Sequence, residues 1–431
     1  MTSTAAPGLS RSLRRWDLVG VVLNGVIGAG IFGLPSKIFS LTGADSIFAF
    51  GACAVCVSIL VLCFAEVASR YSGTGGPYLY ARETYGSTVG FTVGWLVWMA
   101  RLTSFSANCN LLPTYLDFFF PGAGSGVPRA LIITAVVVLM TILNVRGVRL
   151  AADASNALAA GKLVPLAVFI LAGLFFLDPS RFVFTASPGY HPFSQSVLLL
   201  VYAFTGFEMA VIPAGEARRP ERDLPIALMI GMATVVTFYV LIQVVSIGTL
   251  PNLAASERPL ADAAHRFLGT WGAVMITVGI VISLAGNLNV LLLAASRVLF
   301  AMSEGGELPP QLQAIHARYR TPVVAVLGTS VVMLALTLSG TFIYLITIST
   351  ISRLITYMVT CSALGVLRRR PAAPKAAFRL PAGVFISGIG VALGVWLLSN
   401  SNLSEARDTA VATAAGLCIY ALTRIFKRRT A

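Results

Sequence analysis

The stretch from Leu18 to about Ser36 is apolar and long enough to cross a bilayer, yet Gly25, Gly28, Gly30, Gly33 and Pro35 fall in its middle and second half. Glycine weakens a helix, and a cluster of glycines at membrane depth marks backbone that is unwound or closely approached. Unpaired N–H and C=O groups in hydrocarbon are costly, so a break survives only around a cavity or a bound polar group. Two readings of residues 27–31 follow. They form an unwound cradle for a small polar substrate, or a tight helix-packing face of the kind small residues provide.

That run is the first of twelve, at roughly 17–36, 44–68, 88–111, 128–145, 157–177, 195–213, 225–250, 270–301, 322–340, 341–366, 380–399 and 407–425. With 57% hydrophobic and 11% charged residues, against about 25% charged in a soluble domain, the chain reads as an all-α integral membrane protein. The arginines before the first run (Arg11, Arg14, Arg15) are followed by no small-residue cleavage pattern, so this run is read as a retained span. The net charge of +14 does not point to nucleic acid. Most Arg and Lys residues gather in loops on the N-terminal side, as in 218–222 and 368–375, which predicts both termini in the cytoplasm. The six cysteines all lie in or at the ends of spans, without a metal-ligand pattern, and are assigned no chemistry.

The sixth run repeats the theme of the first. Val201 to Pro213 is interrupted at its centre by Thr205, Gly206 and Glu208. A matched pair of broken spans, one per half and opposite in orientation, is the sequence pointer to the binding site of a secondary transporter. Five spans per repeat give an inverted repeat of residues 17–177 and 195–366. Around it lie a cytoplasmic segment 1–16, two accessory helices in 380–425 and a basic tail 426–431.

Charge inside a span is a functional hypothesis by default. Arg101, Lys162 and Arg353 lie within spans three, five and ten. Lys162 is placed near the cytoplasmic end of its span, where it either snorkels to the interface or acts within the membrane. Arg101 and Arg353 sit among Ser and Asn residues, as contacts to substrate or as ties between helices. Ser283, Asn287 and Asn289 make the eighth span polar at mid-membrane. Glu66 is either a gate partner or an interfacial charge. The three histidines are placed in loops, and neither H-E-x-x-H nor G-x-S-x-G occurs, so the chain is not read as an enzyme.

Four stretches together carry a resemblance: Asn24 to Pro35; Ala65 to Gly86, with Ala65-Glu66…Arg70-Tyr71 and Gly75-Gly76; Thr205 to Pro225, with Gly206-Phe207-Glu208…Glu216…Pro220-Glu221-Arg222; and Arg297 to Pro322. In this order they resemble the motifs of the amino acid–polyamine–organocation (APC) superfamily permeases, and the resemblance implies the LeuT-type fold with broken helices 1 and 6. It further implies an amino acid transporter working by alternating access, without cofactor or metal, in contact with lipid and with protons as possible partners. By position, the N–H groups around Ile27, Gly28, Ala29, Gly30 and Ile31 would hold the substrate carboxylate. Carbonyls around Ala203, Phe204, Thr205 and Gly206 would accept its ammonium, with Phe204 covering the site. Family members commonly carry Gly-Ser-Gly at 28–30, so here the hydroxyl is replaced by Ala29. Lys162 matches a lysine that takes the place of sodium in several members, next to Ser283; Lys162 and Glu208 are the two coupling candidates. Proton symport and exchange both remain open, as do a polyamine or organic-cation antiporter, a non-transporting sensor, and the oligomeric state.

Overall fold

The computed structural model describes residues 9–28, 30–116, 120–184, 189–339, 342–399 and 403–430. Among them are fourteen α-helices with short 3-10 turns between, and no strand beyond one isolated bridge pairing Leu13 with Ala217. The helices are α1 (Arg15–Val26), α2 (Gly30–Thr42), α3 (Ser46–Ala68), α4 (Pro77–Tyr85), α5 (Ser87–Leu116), α6 (Gly126–Arg146) and α7 (Val148–Gly173). They continue with α8 (Tyr190–Phe204), α9 (Pro220–Thr249), α10 (Pro259–Glu304), α11 (Val323–Ser339), α12 (Phe342–Arg369), α13 (Gly383–Ser399) and α14 (Leu403–Thr430). Among the described residues five stretches are long and apolar enough to cross a membrane: Gly30–Ala68, Gly126–Arg146, Leu150–Phe176, Pro220–Thr249 and Pro259–Glu304.

Burial sorts the helices into a centre and a shell. Every residue of α1 from Asp17 to Val26 is buried, as is all of the 3-10 turn Phe207–Val211. In α10 the whole run from Leu288 to Ser303 is buried. Around this centre α10 packs on α5 and α7, α1 on α7 and α9, and α12 on α5 and α13. By contrast α6 exposes Val138, Leu139 and Ile142, and α13 exposes Phe385 and Val395. Large apolar side chains on an outer face suit hydrocarbon as the solvent.

Several sequence expectations shift. The first run does break, but more narrowly than 27–31: Gly30 and Ile31 already belong to the first turn of α2, and Ala29 lies outside the described residues. The helix of the fifth run, α7, begins at Val148, nine residues before the apolar run, because 148–156 is helical although it carries Asp153, Ser155 and Asn156. Lys162 is therefore mid-helix and fully buried, not an interfacial snorkel. Of the histidines only His316 is in a loop; His191 opens α8 and His265 lies in α10 ahead of a kink at Gly269 (φ 65°).

Candidate substrate site

Helix α1 is started firmly and stopped abruptly. At its N-terminus the backbone N–H of Arg14 donates to Asp17 Oδ2 at 2.7 Å. At the other end Ile27 leaves the helix at φ −75°, ψ 87°. A helix end leaves its last carbonyls without internal partners, and in a dry interior each must find one elsewhere. Here each does. Leu23 O keeps the ordinary helical bond from Ile27 N at 2.9 Å, and the carbonyls after it take partners outside the helix ladder. The amide of Asn287 on α10 donates to both Asn24 O (2.8 Å) and Gly25 O (2.9 Å). Val26 O accepts from Gly28 N (2.8 Å) and from the hydroxyl of Tyr239 on α9 (3.2 Å). Ile27 O accepts from Lys162 Nζ at 2.7 Å and from Ser283 Oγ at 2.8 Å. The polar residues of α7, α9 and α10 are thus the partners that a broken α1 requires.

The second break faces the first. Helix α8 ends at Phe204, and Gly206 takes φ 115°, a left-handed conformation that glycine alone enters without strain. A Cβ on Gly206 would collide with the carbonyl oxygen of Gly25, and one on Gly25 would lie 2.5 Å from Gly206 O. The two interrupted spans therefore touch backbone to backbone at these glycines, and the glycine cluster serves both the unwinding and the close approach. Tyr239 ties the breaks together: its hydroxyl lies 3.2 Å from Val26 O and 3.4 Å from Ala203 O, sharing one proton. The Phe204 ring packs against that of Tyr239 with centroids 4.9 Å apart.

Lys162 has two oxygen partners, Ile27 O and, at 3.3 Å, the carbonyl of Ser283. It pins the end of α1 to α7 and α10, and no carboxylate is among its hydrogen-bond partners.

Glu208, immediately beyond the second break, is also fully buried. Its Oε1 pairs with Arg101 of α5 at 2.7 Å and with Arg353 of α12 at 3.7 Å. Its Oε2 accepts from Gly206 N (2.9 Å) and from the Tyr357 hydroxyl (2.7 Å). Arg101, Arg353 and Glu208, separate candidates in the sequence, are one network. Arg353 also donates to Thr205 Oγ1 and Ser104 Oγ, both at 2.8 Å, and to Ser349 Oγ at 3.2 Å. One turn further along α5, Asn108 donates to Asn287 Oδ1 at 2.7 Å, linking this network to the α1 break.

On the side of the arginine-rich loops the centre is closed by ion pairs. Arg297 and Glu216, both fully buried, meet at 2.7 Å. Arg15 pairs with Asp223 at 3.0 Å, and Leu13 is bridged to the 216–218 backbone by hydrogen bonds of 2.9 and 3.0 Å. Glu66, also fully buried, takes Arg70 at 2.8 Å, Arg368, and the Leu380 N–H at 2.8 Å. It is a packed ion-pair hub and not a solvated interfacial charge.

Sequence reasoning missed Tyr239 and Tyr357. Each is a single tyrosine in an apolar helix, and tyrosine is as often core filler as hydrogen-bond donor. It also missed Asn24, whose amide Nδ2 donates to Ser155 O and Oγ at 2.5 and 2.8 Å.

An all-helical membrane protein whose two interrupted spans meet at their breaks has the construction of a secondary transporter. Comparison with known proteins agrees. The family model described as amino acid permease matches residues 13–422, and the chain belongs to that family. It is 27% identical to the serine/threonine exchanger SteT of Bacillus subtilis, over 98% of each chain. It is 30% identical to an arginine/ornithine antiporter of Pseudomonas aeruginosa, over 96% of this chain and 91% of that one. It is also 24% identical to the branched-chain amino acid permease BcaP of Bacillus subtilis, over 96% and 93%.

Proposed function

We propose that this protein is a sodium-independent secondary transporter that carries amino acids across the bacterial cytoplasmic membrane by alternating access. The observation that carries the reading is the meeting of the two breaks at Gly25 and Gly206. It supports a single site with donors on one side and acceptors on the other. The first N–H groups of α2, from Gly30 on, have no partner within their helix and lie at the positive end of its dipole, a setting that favours a carboxylate. The carbonyls at the end of α8, Ala203 to Gly206, supply acceptors for an ammonium. An α-amino acid presents these two groups on one carbon.

The same reading takes the chain as twelve membrane-spanning segments, with residues 17–177 and 195–366 as inverted five-helix repeats of the LeuT type and both termini in the cytoplasm. On that topology the Glu216–Arg297 and Arg15–Asp223 pairs hold the cytoplasmic side shut. Lys162 supplies the fixed or transferable charge that a sodium ion supplies elsewhere, because its ammonium is held at the break by carbonyls alone. Glu208, taken up by two guanidiniums, acts as their counter-ion.

Uptake of radiolabelled amino acids into proteoliposomes tests this, with and without a pH gradient and with and without amino acid inside. Accumulation in sodium-free buffer is expected. Accumulation into empty vesicles under a pH gradient identifies proton symport; uptake only into preloaded vesicles identifies exchange. Transport that requires sodium, or no uptake of any amino acid, contradicts the proposal.

A further inference from the structure

The charge cluster beside the second break is unbalanced. Two guanidiniums, Arg101 (1% exposed) and Arg353 (6%), face the single carboxylate of Glu208 (0%). Every guanidinium nitrogen of Arg353 has an oxygen partner: Nε on Ser349, NH1 on Thr205, NH2 on Ser104. Arg101 does not share this saturation. Only its NH2 is bonded, to Glu208, while its buried Nε and NH1 have no hydrogen-bond partner. The cleft around it, lined by Val97, Ala100, Glu208, Arg353, Thr356 and Tyr357, has no room for a water molecule, so solvent does not satisfy them. A guanidinium buried in a membrane protein with two donors unmatched, in a cluster of two cations and one anion, is costly and calls for a second acid.

We propose that Arg101, positioned by Glu208 and backed by Arg353, is the subsite for an acidic side chain, and that the substrate is an acidic amino acid of the aspartate or glutamate class. The proposal rests on the reading that the facing breaks hold the substrate's α-carboxylate and α-ammonium, and adds what the side chain meets. The placement fits. Arg353 is bonded to Thr205, which lies within the 203–206 carbonyl segment. Arg101, Ser104 and Asn108 recur at helical spacing on α5, and Asn108 reaches the α1 break through Asn287. The guanidinium pair lies beside the second break, at Thr205, and not beside the first, because Asn108 is two helical turns, about 10.5 Å, from Arg101. A carboxylate accepts two parallel N–H bonds from Arg101 and brings the buried cluster of two cations and one anion to neutrality. The cleft has no room for the carboxylate in this conformation, and binding requires it to widen around Arg101 while Glu208 stays paired. A cationic amino acid meets like charge at the same place.

The test is equilibrium binding of radiolabelled glutamate and radiolabelled glutamine to the purified full chain, each competed by aspartate, glutamate, asparagine, glutamine and arginine. The acids are expected to compete at concentrations at least tenfold below their amides, with arginine ineffective. In Arg101→Gln the acid-to-amide ratio is expected to collapse to about one. Amides competing as well as acids, or an undiminished ratio in Arg101→Gln, overturns the acidic subsite while leaving amino acid binding intact. Binding of none of the five overturns the acidic subsite, and uptake of the other amino acids then decides the underlying site. Should Arg101→Gln fail to fold, the wild-type ratio alone decides.

Discussion

The ammonium of Lys162 lies 2.7 Å from the carbonyl oxygen of Ile27, the residue at which the first span stops being helical. A lysine from the middle of α7 thus completes the end of a helix more than a hundred residues earlier. Replacing Lys162 with alanine removes one of two donors to Ile27 O and the only titratable group at that point. Uptake by Lys162→Ala in proteoliposomes is expected to fall tenfold or more, and any residual uptake to lose its response to a pH gradient. Unchanged rate and unchanged pH response would remove Lys162 from coupling.

Gly206 has no tolerance for a side chain. Its φ of 115° strains any L-residue, and the added Cβ meets the backbone of Gly25, which the hydrogen bonds of Asn287 hold in place. Strain of this kind costs about 1–3 kcal/mol before the collision is counted. Gly206→Ala is expected to lower the thermal unfolding temperature in detergent by several degrees and to abolish uptake. A variant with wild-type melting and transport would mean that the breaks do not meet as described.

Tyr239 shares one proton between the two broken spans, so Tyr239→Phe keeps the ring packing on Phe204 and deletes only the hydroxyl. A hydrogen bond of this kind contributes about 0.5–1.5 kcal/mol. The expected result is a modest loss of melting temperature and a several-fold loss of substrate affinity, read by thermal shift and by binding. A fall in stability as large as that of a core truncation would show that the ring is the part that matters.

The fully buried Glu216–Arg297 pair gives the sharpest stability contrast. Truncating one partner strands a buried charge, at about 3–5 kcal/mol, whereas replacing both removes the imbalance. Glu216→Gln and Arg297→Met are each expected to destabilise strongly, and the double variant to recover a good part of the loss. Additive losses across the double-mutant cycle would argue that the two side chains act independently.

Much of this arrangement was legible in the sequence because hydrophobic runs leave few options to a chain in lipid. The breaks at 27–28 and 205–206 were marked by glycine, which signals backbone freedom directly. Lys162, Arg101, Arg353 and Glu208 stood out as charges in apolar runs. What the sequence did not carry was their partnership. Arg101, Glu208 and Arg353 lie on three different helices, and nothing in their spacing says that one carboxylate serves two arginines. Lys162 was placed too close to the interface because the stretch 148–156 hides a helical extension whose residues, such as Ser155 and Asn156, are taken up by Asn24 and Asp17. Tyr239 and Tyr357 gave no signal apart from being aromatic.

The most direct test of a site built from two facing breaks asks which substrate atoms it needs. Purified protein in sodium-free buffer would be assayed for binding of its best radiolabelled amino acid, competed by that amino acid, by its decarboxylated amine and by its deaminated acid. If α2 holds the carboxylate and the 203–206 carbonyls hold the ammonium, the intact amino acid competes and each truncated compound is weaker by tenfold or more. Equal competition by the amine or by the acid would contradict a site in which each break grips one end of the same molecule.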